Sequence, residues 1–279
     1  MKLKIHVIGG YGKVGGALLR GLLINQAKLI DLSVSGPQTK ELNKLREQYK
    51  VKVSTNNLEY ALGADFIILA VKPDKVPKVL RELAGGLANK RTDKIILCTA
   101  AAVNLIELEK LLQDKAPVVR IMPNLGIAVG QGLIAWYGNG LNKANSQKVD
   151  RFLKQFGVAV KVGSDDDIER FTINTGTGLA IDASYLQARI DAGVYSGLSR
   201  KLSELAAVQT MQGLLALMRE GLYPDFSTVI NAVETPAGTT VEATLVLKER
   251  SFTATIIKAI DAGVQKIRAI HERVAQVWK

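Results

Sequence analysis

The segment TPAGTT at residues 235–240 ends in two adjacent hydroxyl side chains, Thr239 and Thr240, at the predicted start of a helix. Its glycine favours a turn, and the apolar pattern of residues 241–247 predicts that a helix follows. The free N–H groups at the start of a helix attract anions such as a carboxylate. A hydroxyl beside them, on Thr239 or Thr240, can hydrogen-bond a reacting nitrogen or oxygen. The segment therefore predicts a binding site for a small acidic substrate.

A second candidate binding motif is GYGKVG at residues 10–15, which follows an apolar run and precedes a helical pattern. In this context Gly10 permits a tight turn, Gly12 lets the backbone approach a pyrophosphate, and Gly15 allows close helix–strand packing. Lys13 adds charge near the phosphates, and Val14 begins the apolar face of the helix. We predict dinucleotide binding here; the alternative is a glycine-rich turn that holds no ligand.

The choice of cofactor should be decided at the end of the second strand, about 20 residues past the glycine motif. An NAD site places an acidic residue there, whereas this chain has the hydroxyls of Ser33 and Ser35. Asp31 lies too early in the strand to bind the ribose. The pattern favours NADP(H), and NAD(H) stays open because no arginine is present to hold a 2′-phosphate.

Composition limits the class of protein. The chain has 279 residues, 47% of them hydrophobic, which predicts two globular domains. One cysteine, Cys98, cannot form an internal disulfide, and no apolar run reaches the roughly 20 residues of a membrane span. We expect a cytoplasmic protein without a signal peptide. The net charge of +11 is spread over single lysines on helices, so we expect neither a nucleic-acid nor a membrane partner.

The order of apolar runs predicts the elements that position these residues. Short runs alternate with helical stretches and recur at residues 3–8, 29–34, 66–71, 95–99, 118–122, 132–137 and 158–162. This alternation predicts an α/β fold with an N-terminal Rossmann-type, doubly wound parallel sheet over residues 1–163. Residues 164–279 read as an all-helical domain, with helices at 179–193 and 199–222. Because these helices are apolar on more than one face, we expect burial against a second copy.

Other chemically suggestive residues have structural explanations. His6 should be a buried neutral histidine in the first strand, and His271 should lie exposed in the last helix. The acids at 165–167 should cap a helix rather than bind a metal, and no metal site is predicted. Glu234 should form a helix-end or interface ion pair rather than act as a catalytic acid.

The chain resembles the pyrroline-5-carboxylate reductases over nearly its whole length. The motifs that carry the resemblance are GYGKVG at 10–15, AVKP at 70–73, RIMPN at 120–124, GTG at 176–178, DAGV at 191–194 and TPAGTT at 235–240. The glycine motif and the VKP turn occur in many related dehydrogenases. RIMPN and TPAGTT at this spacing are far more specific.

The resemblance implies NAD(P)H-dependent reduction of the C=N bond of 1-pyrroline-5-carboxylate to L-proline, the last step of proline biosynthesis. It also implies a helical dimerisation domain with active sites at the dimer interface. By matching, the cofactor residues include Asn57 on the adenosine side, the lining turn of Ala70, Lys72 and Pro73, and Asn124 near the nicotinamide. The substrate residues are Thr235, Gly238, Thr239 and Thr240, and the Thr240 hydroxyl should bond the imine nitrogen.

Several residues depart from the family pattern around the expected substrate pocket. Where the family reads GSGPAY this chain reads GTGLAI (residues 176–181), Gln187 replaces a glutamate, and Ala237 and Ala102 replace glycines. The pair Leu125-Gly126 replaces Thr-Pro. These changes leave two alternatives open: an imine or carbonyl reductase with another small acidic substrate, or a weakly catalytic NADP-binding dimeric protein.

Overall fold

The computed structural model describes residues 2–26, 29–87 and 93–278, which form two compact units. Unit 1 contains residues 1–176 and 263–279, and unit 2 contains residues 177–262. These divisions differ from the boundary near residue 163 expected from sequence, which stays a prediction. No helix within the described ranges is long and apolar enough to cross a membrane.

Unit 1 is built on one eight-stranded sheet of order β3-β2-β1-β4-β5-β6-β7-β8. Its strands are β1 (Leu3–Ile8), β2 (Ile30–Ser35), β3 (Lys52–Ser54), β4 (Phe66–Leu69), β5 (Ile95–Cys98), β6 (Val118–Pro123), β7 (Gly132–Tyr137) and β8 (Gly157–Lys161). All neighbouring pairs are parallel except β6 and β7, which are antiparallel. The chain order reverses direction across the sheet between β1 and β4, the point at which such folds bind ligands.

Helices cover both faces of this sheet. They are α1 (Lys13–Gln26), α2 (Thr39–Tyr49), α3 (Leu58–Ala61), α4 (Val76–Gly86), α5 (Leu105–Leu112), α6 (Lys143–Leu153) and α7 (Asp165–Phe171). Phe66 and Ile68 of β4 belong to one buried apolar cluster, and Ile67 and Leu69 belong to another. Because successive side chains of a strand point to opposite faces, the two clusters are the cores on either side of the sheet. Burial on both faces explains why the strands read as continuous apolar runs.

Unit 2 is helical. It contains α8 (Gly178–Tyr195), α9 (Arg200–Arg219), α10 (Phe226–Val233), α11 (Thr239–Glu249) and the first part of α12 (Phe252–Trp278). Helices α8 and α9 pack closely at Gly193, where an added Cβ would lie 2.7 Å from the Ser203 Oγ. Large apolar side chains remain exposed, including Tyr195, Leu205 and Leu222.

The predicted class is confirmed: a mainly parallel Rossmann-type sheet followed by a helical domain. Three details differ from the sequence expectation. Strand β3 has only three residues and was not predicted, and β7 runs antiparallel. The GTG segment at residues 176–178, for which the sequence predicts a turn, is helical: Thr172–Thr177 form a π-helix and α8 begins at Gly178.

Candidate active site

The glycine motif forms an open cradle at the carboxyl end of β1. Gly15 is in the close contact predicted for it, since a Cβ there would lie 2.6 Å from the Gly9 carbonyl oxygen. Gly12 is exposed, and a Cβ there would meet nothing nearer than 3.5 Å, so the space above it is free for a phosphate. The left-handed conformation falls on Gly9 (φ +87°) rather than Gly10. Sequence reasoning missed Gly9 because it precedes the GxGxxG spacing.

The turn after β4 lies beside this cradle. The Ala70 N–H donates to the Ile8 carbonyl oxygen at 2.9 Å, which ties the end of β4 to the end of β1. Lys72 is exposed, and Pro73 begins a short 3-10 helix. Because β1 and β4 flank the point where strand order reverses, this turn and the cradle form one candidate ligand-binding edge. Lys13, at the first position of α1, is exposed at the same edge, and Val14 after it packs against the core.

Asn124 lies at the end of β6, two strands from β4. Its Oδ1 accepts hydrogen bonds from the N–H groups of Gly126 (3.1 Å) and Leu133 (3.3 Å). The half-buried side chain therefore holds the short 3-10 helix Leu125–Val129 against β7.

Ser33 and Ser35 do not present their hydroxyls at the surface as the cofactor prediction required. Both side chains are buried and contact the imidazole of His6, with Ser33 Oγ 2.9 Å from Nδ1 and Ser35 Oγ 2.9 Å from Nε2. Ser33 pairs with His6 in the β1–β2 register, and residues two apart on a strand share a face, so both serines reach the same ring. Ser33 in particular is in mid-strand, where a cofactor phosphate has no access.

His6 is neutral in this environment, as the sequence predicted. Burial lowers the pKa of His6 from 6.5 to about 4, only partly offset by the Asn57 backbone and the Glu59 carboxylate. A chain of hydrogen bonds leads from His6 through Ser35 toward the surface. Ser35 Oγ donates to Asn57 Oδ1 at 2.7 Å, and Asn57 Nδ2 donates to Glu82 Oε2 at 2.9 Å. Asn57, half-buried before α3, is the outermost amide of this network.

The predicted substrate loop, residues 235–240, joins α10 to α11. Gly238 is the N-cap of α11, and no side chain caps its first turn, so the amides there are available to an anion. The Gly238 N–H donates to the Thr235 carbonyl oxygen at 2.9 Å, and a Cβ at Gly238 would overlap the Thr235 hydroxyl. Thr239 and Thr240 occupy the first turn, and no hydrogen-bond partner of the Thr240 hydroxyl is found in the described part of the chain.

Glu234 closes this loop and has no cationic partner in the described ranges. Its Oε1 accepts a hydrogen bond of 2.5 Å from Thr244 Oγ1, across the two ends of the loop. The carboxylate therefore links the end of α10 to α11. No helix-end ion pair of Glu234 is found among the described residues, and the alternative of an interface ion pair stays a prediction. Ala237 within the loop has a left-handed backbone, with φ +57°.

Arg120, from the RIMPN motif, is a structural anchor that sequence reasoning did not assign. It is buried and forms ion pairs with Asp165 (2.6 Å) and Glu169 (2.9 Å) of α7. Asp165 is thus a partner of Arg120, and the cap of α7 is Ser164, which accepts the Asp167 N–H. Glu169 also accepts the N–H of Ala102, a left-handed residue after β5. The arginine fixes the loops next to the ligand-binding edge.

The described ranges contain no group of three or more His, Cys, Asp or Glu side chains that could hold a metal ion. The prediction that the protein needs no metal stays a prediction.

The doubly wound sheet and its glycine cradle define a dinucleotide-dependent oxidoreductase, and comparisons with known proteins agree. A family described as "NADP oxidoreductase coenzyme F420-dependent" matches residues 4–102. A second, "Pyrroline-5-carboxylate reductase dimerisation", matches residues 165–270, so the chain carries a domain for homo-oligomerisation.

Full-length relatives identify the family. A pyrroline-5-carboxylate reductase of Corynebacterium melassecola is 31% identical over 92% of this chain and 95% of its own length. The reductase of Escherichia coli K12 is 30% identical over 95% of this chain and 97% of its own length. A crystal structure of the Plasmodium falciparum enzyme with NADP bound has a TM-score of 0.84, at 26% identity over 96% of this chain and 98% of that one. This chain belongs to the pyrroline-5-carboxylate reductase family.

Proposed function

We propose that this protein reduces 1-pyrroline-5-carboxylate to L-proline with NADPH. In this reaction the imine carbon gains a hydride, the imine nitrogen gains a proton, and NADP⁺ is released. The observation that carries the proposal is the substrate loop of a chain of this family. There the start of α11 has no side-chain cap, and the adjoining Thr240 hydroxyl has no hydrogen-bond partner among the described residues.

The residues at the sheet edge fit a dinucleotide. The free space over Gly12, the close packing at Gly15 and the exposed Lys13 suit a pyrophosphate at the start of α1. The turn of Ala70, Lys72 and Pro73 would line the cofactor, with Asn57 on the adenosine side and Asn124 near the nicotinamide. When bound, NADPH supplies the hydride.

A 2′-phosphate needs partners other than the two buried serine hydroxyls. The exposed polar residues Gln38 and Thr39, shortly after β2, are available there. Because no acidic residue occupies this stretch, NADPH should be preferred to NADH.

The substrate loop would hold the acid and its imine. The first-turn amides of α11 would bind the carboxylate, together with Thr235, Gly238 and Thr239. The Thr240 hydroxyl would hydrogen-bond the imine nitrogen and stabilise the proton that this atom gains as the hydride arrives. No strongly acidic side chain is needed for this step.

We also propose a cytoplasmic location and a domain boundary near residue 163. The location is supported by a single cysteine, Cys98, which is buried and whose pKa is raised to about 11 by burial. The boundary is supported by the dimerisation match, which begins at residue 165, directly after the Ser164 cap of α7.

Thr240 provides the test of this assignment. Thr240→Val keeps the shape of the side chain without the hydroxyl, and we expect it to lower kcat about 100-fold while NADPH affinity is unchanged. Thr240→Ser, the matched control, should keep most of the activity. An active Thr240→Val enzyme would rule out this role, and wild-type protein without turnover of the pyrroline would rule out the function.

A second candidate function keeps the chemistry and changes the substrate. It is favoured by Leu179 and Ile181 in α8, where the family pattern has proline and tyrosine. A panel of five- and six-membered cyclic imino acids and small oxo acids separates the two candidates. A preference for the five-membered imino acid would remove the second one.

A further inference from the structure

We propose that His6 is a positioning residue for the cofactor, which acts through Ser35 to fix the orientation of the Asn57 side chain. The inference rests on the proposed function, because it takes Asn57 to contact the adenosine side of NADPH. It concerns residues that no motif identifies: His6 and Ser35 are fully buried in the sheet and touch no solvent.

The hydrogen bonds in this network can point in only one direction. Ser35 Oγ has one proton and donates it to Asn57 Oδ1 at 2.7 Å. His6 Nε2, 2.9 Å from the same oxygen, must then be the protonated nitrogen and donate to Ser35. A neutral ring with a proton on Nε2 has an acceptor at Nδ1, which Ser33 Oγ fills at 2.9 Å. This contact is shorter than the alternative from Ser33 Oγ to the Ile5 carbonyl oxygen, 3.3 Å.

Glu82 fixes the last link. Asn57 Nδ2 donates to Glu82 Oε2 at 2.9 Å, and a flipped amide would set its oxygen against that carboxylate oxygen and its nitrogen protons against the Ser35 proton. Asn57 stands at the N-cap position of α3 yet makes no side-chain cap bond. Its amide is held by Ser35 and Glu82 instead, and it keeps one N–H and one lone pair for a ligand.

A pre-oriented amide lowers the cost of binding, since fewer side-chain conformations are lost when the ligand arrives. The effect should appear in cofactor affinity and leave the hydride step unchanged, because Asn57 lies on the adenosine side. The two serines offer a matched comparison: each contacts one ring nitrogen of His6, but of the two only Ser35 also bonds the Asn57 side chain.

The test is fluorescence titration of the full-length protein with NADPH, together with steady-state kinetics. Ser35→Ala should weaken NADPH binding about 3–10-fold, the equivalent of one hydrogen bond, with kcat at saturating NADPH unchanged. Ser33→Ala should leave affinity within about twofold of wild type, and His6→Gln, which can still donate near the Nε2 position, should retain most of it. In an Asn57→Ala background, Ser35→Ala should cause no further loss.

Equal weakening by Ser33→Ala and Ser35→Ala would indicate a general structural role and overturn the inference. So would additive losses in the Ser35→Ala/Asn57→Ala double variant. If Ser35→Ala does not fold, His6→Phe replaces it with the same expectations. Failure of the proposed function is distinguishable, because the wild-type protein would then not turn over the pyrroline, whereas the NADPH titrations of wild type and variants are made without that substrate.

Discussion

The imidazole of His6 is a titratable group enclosed completely by the sheet, and burial determines its charge. The pKa of His6 in the folded protein is about 4, compared with 6.5 for an exposed histidine. The charge of the nearby Glu59 carboxylate raises the pKa of His6 but does not compensate for the lost hydration. The ring therefore serves as a neutral donor and acceptor at physiological pH.

This lowered pKa predicts acid sensitivity of the fold. Well above pH 6.5 the His6 imidazole is neutral in both the folded and the unfolded protein, so His6 does not make the free energy of unfolding depend on pH. Between pH 6.5 and about 4 the unfolded chain takes up a proton that the folded chain does not, so stability falls as pH falls. The loss at His6 should be about 2 kcal/mol at about pH 5, as measured by urea unfolding.

The control for this prediction is His6→Gln, which cannot titrate. Its free energy of unfolding should fall less between neutral pH and about pH 5 than that of the wild type, by the same amount. Identical pH slopes for the two proteins would contradict the assigned pKa.

At the scale of single residues, the sequence predicts which side chains are polar but not where they point. Ser33 and Ser35 lie on the strand that binds the ribose in dinucleotide folds, and this position predicts contact with the cofactor. The register of β1 against β2 instead places them around His6. Pairing of two strands 27 residues apart is decided by the whole sheet, so no local pattern reveals it.

The substrate loop contains one of the left-handed non-glycine residues of the described structure. Ala237 is exposed and left-handed, with φ +57°, a conformation that costs a residue with a Cβ about 1–2 kcal/mol. Ala237→Gly removes that cost but gains freedom in the unfolded chain, so we expect a net stabilisation of about 0.5–1 kcal/mol. Denaturant unfolding at fixed protein concentration measures the change.

The same alanine-to-glycine substitution at an ordinary helical position should lower the free energy of unfolding instead of raising it. Ala243, exposed within α11, is the matched control, and Ala243→Gly should destabilise by about 1 kcal/mol. If both variants destabilise equally, the loop does not hold the left-handed conformation at Ala237 in solution.

Elements with strong periodicity could be predicted, and elements held by long-range contacts could not. The continuous apolar runs of β1, β4 and β5 fixed the class of fold. The GTG segment predicts a turn because Gly176 and Gly178 disfavour helix, yet Gly176 lies in the π-helix Thr172–Thr177 and Gly178 begins α8. Hydroxyl bonds such as that from Thr172 Oγ1 to the Ile168 carbonyl oxygen cannot be seen in the sequence. Likewise, the pairing of Arg120 with α7 joins residues 45 apart.

On the scale of the whole molecule, unit 2 leaves too much apolar surface for an isolated helical unit. Leu202 and Leu205 of α9 are 52% and 62% exposed, and the family match over this region is to a dimerisation domain. A patch of this kind is typical of a surface that binds a second copy. This exposure agrees with the expectation that the helices of this domain, apolar on more than one face, are buried against a second copy.

Charges in this patch should therefore prevent assembly. Leu202→Glu/Leu205→Glu is expected to give a species of lower molar mass by light scattering, with loss of reductase activity. Ile106→Glu, on α5 of unit 1 and exposed to a similar degree (59%), is the control and should keep both mass and activity. An assembled and active double variant would place the interface elsewhere.

The central claim, hydride transfer from NADPH to the imine carbon of 1-pyrroline-5-carboxylate, is tested most directly by isotope transfer. The wild-type protein is incubated with this substrate and NADPH deuterated at both C4 positions of the nicotinamide, and the product is analysed by mass spectrometry. The account predicts L-proline heavier by one mass unit, with the deuterium on the former imine carbon. Unlabelled proline, or NADPH consumption without proline, would contradict it.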